Sequence, residues 1–297
     1  MIPVIVVSGY LGAGKTSLIN HILRQEGGPR AGVLVNDFGA LNVDAALIEN
    51  RDGTTIAMQN GCVCCSIADD LLAGLDLLLK WPAPLDAVLI EASGVADPGK
   101  IALLANTSTR LDPGGVLCLV DALQIRRQSR DKYIAMLIRR QLHRADLLIL
   151  NKADEISAAD VEALQDWLDD LSGGTPILTT THGAIPTGCL AVEPGKWDIE
   201  AETFVPPRFQ RLRIDLPVSM SFSSIKRKMD RLPQGLYRLK GMIPVNGEPH
   251  LLQCVGPQWS LTAWPKHAAP MQPALIGIAA QTRAASVMTW LSGFAGR

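Results

Sequence analysis

A chain of 297 residues with 47% hydrophobic content can bury one large core or two of moderate size. Its net charge of -1 conceals an asymmetry: residues 204–297 carry 12 Lys plus Arg against 3 Asp plus Glu, leaving 16 against 26 for the front, so the two parts stand at about +9 and about -10. Opposed charges suit an interface between the chain's own domains, with an acidic partner or nucleic acid as the other readings. No aromatic-rich basic motif points to nucleic acid, no stretch reaches the ~18 uncharged apolar residues of a membrane span, and the apolar start Ile2–Val7 lacks the basic flank of a secretion signal, so a cytoplasmic protein is expected.

In chain order, Val4–Ser8, Ala31–Val35, Ala87–Ile90, Gly115–Val120 and Leu147–Leu150 are short apolar runs of strand length, rich in Val, Ile and Leu. Between them, Ser17–Glu26, Ile67–Lys80, Pro98–Ala105, Tyr133–Arg144 and Ala158–Leu171 show helical apolar spacing. Alternating strand and helix predicts an α/β fold with a doubly wound, mostly parallel sheet and ligands at the carboxyl ends of its strands. Pro176–Thr179 supplies a last strand, and residues 184–203, with Pro186, Gly188, Pro194 and Gly195, read as a linker after a first domain of residues 1–183. Residues 204–297 read as a small α+β domain, with strands at Arg208–Leu216, Leu236–Lys240 and His250–Val255 and a basic helix at Ser223–Arg231.

The first apolar run opens into Gly9-Tyr10-Leu11-Gly12-Ala13-Gly14-Lys15-Thr16, a full G-x-x-x-x-G-K-[ST] phosphate loop between a strand and a helix that starts near Ser17. Its glycines let backbone N–H groups curl around phosphates, Lys15 reaches the β- and γ-phosphates, and Thr16 places its hydroxyl on Mg2+. Asp86–Glu91 is an apolar strand that delivers Glu91 where such a fold needs an acid near Mg2+. Gly94, three residues on, can bring a bare backbone N–H to the γ-phosphate. Asn36-Asp37-Phe38-Gly39 lies where a switch segment would, with Asp37 or Asp44 able to help hold the metal or a water.

Leu147–Leu150 leads into Asn151-Lys152-Ala153-Asp154, an N-K-x-D sequence. A carboxylate at Asp154 can accept from both N1–H and the exocyclic amine of guanine, whereas adenine would leave it unpaired. Lys152 can lay its stem along the ring and Asn151 can tie this segment to the phosphate loop, so the nucleotide is expected to be GTP.

Six cysteines in a chain of this size make a poor disulfide framework, and Cys62-Val63-Cys64-Cys65 is a cluster of soft thiolate ligands just before a predicted helix. Three sulfurs leave an open fourth position, suited to an exchangeable ion, although Cys62 and Cys64 alone converge from one side of an extended turn. Cys118, Cys189 and Cys254 stand apart as packing residues.

The order GYLGAGKT, NDFG, GCVCCS, ExSG and NKAD resembles the CobW family of P-loop GTPases, relatives of the nickel-handling GTPases of urease and hydrogenase maturation. The likeness is close over Ile2 to about Gly183 and weaker beyond, where Arg238-Leu239-Lys240-Gly241 and Trp259 resemble the family's C-terminal module. It implies Mg2+-dependent GTP hydrolysis, Zn2+ or Co2+ at Cys62, Cys64 and Cys65, delivery of that metal to a client metalloprotein, and compatibility with an oligomer. Asn36-Asp37 stands where many members have Asn-Glu, Ala40 stands where a second acid is common, and the His-rich tract of many members is absent, which argues against metal storage. Two other readings stand beside this one: an assembly factor for a cobalamin-pathway or other metalloenzyme, and a GTP-gated docking module with structural cysteines. No motif places an activating arginine or glutamine; Arg126, Arg127 and Arg130 are candidates by vicinity.

Overall fold

The computed structural model describes residues 1–35, 55–57, 66–105, 110–191, 194–195, 209–216, 219–265 and 272–295. Among these, the residues before 207 form one compact unit and those after it another.

The first unit is a parallel sheet of seven strands, β1 (Ile2–Gly9), β2 (Ala31–Val35), β3 (Thr55–Ala57), β4 (Ala87–Glu91), β5 (Leu111–Asp121), β6 (Leu147–Asn151) and β7 (Ile177–Thr179), in the order β3-β2-β4-β1-β5-β6-β7. Its helices are α1 (Lys15–Arg24), α2 (Ser66–Leu79), α3 (Pro98–Ala105), α4 (Ile125–Gln128), α5 (Ala135–His143) and α6 (Ala158–Ser172). The central strands are apolar throughout because both faces are covered: β2 and β4 are buried at every position. On one side Val4, Val6, Leu34, Val88 and Ile90 pack with Leu71, Leu75 and Leu78 of α2 and with Ile101 of α3. Burial of this kind is worth about 25 cal/mol per Å² of apolar surface and is the main term holding the sheet.

β5 starts four residues earlier than its apolar run predicts, taking in Asp112-Pro113-Gly114, and the β1–β5 register shifts between Val4 and Val6. A Cβ on Gly114 would sit 2.6 Å from the Val4 carbonyl oxygen, so glycine is what allows this irregular stretch to close on β1. Residues 183–190 pack on this unit: Ile185 and Leu190 are buried, and the Gln25 amide donates to the Ile185 carbonyl at 2.7 Å.

The second unit is an antiparallel sheet of β8 (Phe209–Asp215), β9 (Leu236–Val245), β10 (Glu248–Val255), β11 (Gln258–Ala263) and β12 (Ala274–Ala280), in the order β11-β10-β9-β12-β8, with helices α7 (Phe222–Met229) and α8 (Ala284–Ser292). Ile225 and Met229 of α7 and Val287 and Leu291 of α8 pack with Leu212, Leu239, Leu252 and Leu275 of the sheet. The sequence reading missed β11, β12 and α8. The stretch Ala274–Ala280 is buried at all seven positions, so it has no alternation to announce it, and Gly277 interrupts it.

Cys118 and Cys254 are both buried, and burial pushes each thiol up to about 12, with Lys15 opposing the shift at Cys118. The thiolate is the reactive form, so both should resist iodoacetamide in the native protein at pH 8 and react after unfolding, with the half-buried Cys189 as the internal comparison. Mass spectrometry reads the result; alkylation of native Cys118 or Cys254 at the rate of a free thiol would contradict this packing.

Candidate guanine-nucleotide site

Strand register brings the chemistry to one edge. Gly9 ends β1, Glu91 ends β4 opposite Val7, and Asp121 at the end of β5 pairs with Asn151 at the end of β6. Parallel strands joined by right-handed crossovers leave all of these ends on the same side.

The phosphate loop depends on backbone conformations that side chains disfavour, with φ of 126° at Gly9, 79° at Gly12 and 107° at Gly14. A Cβ on Gly9 would lie 2.3 Å from the Leu119 carbonyl oxygen, and one on Gly14 2.3 Å from the Asn151 amide nitrogen. Ala13 is buried and Ser17 exposed. Gly14 caps α1 without a side-chain acceptor, which presents the first-turn N–H groups as an anion site. Lys15 is only 6% exposed, and its ammonium donates to the carbonyls of Gly9 at 2.9 Å and Tyr10 at 3.3 Å, which holds the cation inside the loop.

Thr16 and Glu91, 75 residues apart, meet directly: the hydroxyl donates to the two carboxylate oxygens at 3.1 and 3.3 Å, and Glu91 is buried. A hydroxyl beside a buried carboxylate is a hard-oxygen donor pair, and it fits Mg2+. Gly94 lies against the phosphate loop so closely that a Cβ would be 2.7 Å from the Leu11 amide nitrogen. From behind, Gln141 of α5 donates to the carbonyls of Gly94 at 3.2 Å and Ala96 at 3.1 Å. Next to it, Arg140 donates to Asp97 at 2.6 Å in a nearly buried ion pair.

On the base side, Asn151 is buried; its amide donates to the Ala13 carbonyl at 2.9 Å and its oxygen accepts from the Gly183 N–H at 3.0 Å. Lys152 adopts φ of 63°, an uncommon conformation for a lysine, and its ammonium pairs with the buried Asp121 at 2.5 Å. Asp121 also accepts from the Leu123 N–H at 3.0 Å. Asp154 stands exposed on the 3-10 turn Ala153–Glu155, where its carboxylate is open to a base. The loop 180–184 closes the far side, with Gly183 at φ of 70° and no room for a Cβ against Leu18.

Of the residues expected from sequence, the structure gathers Gly9, Gly12, Ala13, Gly14, Lys15, Thr16, Glu91 and Gly94 around the phosphate loop and Asn151, Lys152 and Asp154 beside it. Asp37, Asp44, Cys62, Cys64 and Cys65 lie outside the described residues, among which no group of three His, Cys, Asp or Glu could hold a metal. Sequence reasoning missed Asp121, Gln141 and the loop 180–184. Asp121 could have been found, since a carboxylate directly after an apolar strand is the signal that singled out Glu91. Gln141 could not, because an amide within a helix carries no signal of its own.

Asp154→Asn should weaken GDP binding by roughly 30- to 150-fold, about 2–3 kcal/mol, and improve binding of xanthosine diphosphate, whose exocyclic C2 carbonyl oxygen can accept from the new amide. Asp121→Asn should weaken GDP less than Asp154→Asn does, because it loosens Lys152 without touching the base. Isothermal titration checks both, and an unchanged base preference in Asp154→Asn would contradict the assignment.

Comparison with known proteins places the chain in a family. Residues 3–179 match the CobW/HypB/UreG nucleotide-binding domain and residues 209–291 the C-terminal domain of the cobalamin synthesis protein cobW. The zinc chaperone YjiA of Escherichia coli is 34% identical over 279 residues, 86% of each chain. The zinc chaperone CobW of a Sinorhizobium species is 30% identical over 64% of this chain and 62% of its own length. Among solved structures, the Zn(II)-bound YjiA GTPase from E. coli is similar with a TM-score of 0.48 at 27% identity, covering 99% of this chain and 98% of that one. By its two domain matches and its phosphate and base motifs, the chain belongs to the CobW family and is a P-loop GTPase.

Proposed function

We propose that this GTPase is a cytoplasmic metallochaperone that binds Zn2+, or Co2+ in its place, through Cys62, Cys64 and Cys65 and uses the GTP cycle to release the ion to a client metalloprotein. The observation that carries this reading is the position of the cysteines in the chain. In sequence they fall after β3 and immediately before α2 begins at Ser66, and the next strand along the chain, β4, ends in Glu91. A helix start favours the thiolate form, and thiolates select soft or borderline ions. Relatives named zinc chaperones support zinc as the cargo.

In this reading Lys15 and the first-turn amides of α1 bind the phosphates, and Asp154 selects the base. Thr16 and Glu91 would hold Mg2+, which when bound offsets phosphate charge. In this reading the Gly94 amide responds to the γ-phosphate, and a change there biases the chain segment that bears the three cysteines.

The test is a Zn2+ competition titration in the presence of Mg2+, with GDP or a non-hydrolysable GTP analogue, on wild type and a Cys62→Ser/Cys64→Ser/Cys65→Ser variant. The expected outcome is cysteine-dependent affinity that differs at least tenfold between nucleotides, about 1.4 kcal/mol of coupling. Equal affinity in both states, or binding that survives the triple substitution, contradicts the proposal.

A further inference from the structure

The segment 125–144 is a basic island in an acidic unit. It holds Arg126, Arg127, Arg130, Lys132, Arg139, Arg140 and Arg144 against Asp131 alone, although residues 1–203 carry 26 acids and 16 bases in all. Arg126, Arg127, Arg130 and Asp131 line one open pocket of about 520 Å3. Arg126 is rooted there by its bond to the Ala163 carbonyl at 2.9 Å and by the Trp167 ring 5.4 Å away.

The chain then turns tightly at Asp131, whose carboxylate accepts from the Tyr133 N–H, into α5. Tyr133, Met136, Arg139 and His143 follow at helical spacing and are all exposed, Met136 at 69% and Tyr133 at 44%. An exposed apolar pair rimmed by cations is the composition of a docking surface. The opposite face of the same helix carries Arg140 and Gln141, which hold Asp97, Gly94 and Ala96 of the loop behind the phosphate site. A shift of residues 94–97 with the nucleotide would reach α5 through three side-chain contacts, one of them on Gly94 itself.

We infer that α4 and the outer face of α5 form a docking surface for an acidic segment of a partner protein, its carboxylates on Arg127 and Arg130 and an apolar side chain on Met136 and Tyr133, with affinity set by the nucleotide through Gln141 and Arg140. Charge complementarity with the local basic island calls for an acidic occupant, and the exposed Met136 and Tyr133 between the cations call for an apolar side chain on it, which a protein segment carries and a phosphate backbone does not. The inference deepens the client-delivery reading but does not use the cysteines, so its test contains no zinc and the two can fail separately.

The probe is a fluorescein-labelled peptide of four Glu-Glu-Leu repeats, followed by anisotropy on the full chain saturated with GDP or with a non-hydrolysable GTP analogue. Binding should weaken as salt rises, fall at least tenfold in Arg127→Glu/Arg130→Glu and in Met136→Glu, and stay unchanged in Lys226→Glu/Arg227→Glu, an equal charge reversal on α7. Affinity should differ at least threefold between the two nucleotide states in wild type, and the difference should vanish in Gln141→Met. Asp97→Ala removes the neighbouring acceptor and serves if Gln141→Met does not fold. Equal binding to the Arg127→Glu/Arg130→Glu variant, equal weakening by the α7 control, or tighter binding of a single-stranded oligonucleotide of the same charge would overturn the surface. Equal affinity in both nucleotide states would overturn the gating.

Discussion

The nucleotide site is held together by one buried amide. Asn151 ends the β6 strand, donates to the phosphate loop at Ala13 and accepts from the base-side loop at Gly183, so two loops that share no backbone ladder are braced through a single side chain. Its neighbours are shaped around it. Gly14 has no Cβ because the Asn151 amide occupies that space, and Gly183 is pressed against Leu18 in the first turns of α1. Both hydrogen bonds lie out of water, where leaving a partner unmet costs about 1–3 kcal/mol for each group. The spacing between phosphate and base is thus a consequence of where β6 stops.

The sheet was legible in the sequence because fully covered parallel strands must be apolar on both faces, and Val4–Ser8, Ala31–Val35 and Leu147–Leu150 are so without interruption. The phosphate and base motifs were legible for a different reason: their glycines and carboxylates are required by backbone geometry and by hydrogen-bond chemistry, not by packing. Where the requirement is a contact made at long range, the sequence says little. Gln141 reaching Gly94 depends on which helix packs behind the loop after β4, and although the strand-end position of Asp121 is a local signal, its pairing with Lys152 depends on β5 and β6 lying side by side. Ala274–Ala280 failed to announce itself for a packing reason, since it is wholly buried and so lacks the alternation that marks the other strands of an antiparallel sheet, and Gly277 breaks its apolar run. Asp37 and the cysteines, readable as motifs, have no counterpart among the described residues.

The two ends of the site differ in how they are built. On the base side, Asp121 and Lys152 form a partly buried ion pair that offsets the cost of an uncommon backbone conformation at Lys152 and so orients the turn bearing Asp154. On the phosphate side, the loop after Glu91 is clamped between Leu11 in front and Gln141 and Arg140 behind. A base end braced by an ion pair and a loop with partners on both sides suit the nucleotide-coupled release proposed above.

The account rests on Asn151 joining these ends, and the direct measurement is the affinity of the Asn151→Ala variant for GDP by isothermal titration, with a thermal melt on the same sample. The prediction is a loss of at least tenfold in affinity in a protein that still unfolds cooperatively a few degrees below wild type. Wild-type GDP affinity in that variant would contradict it, because phosphate and base loops would then hold their spacing without the amide between them.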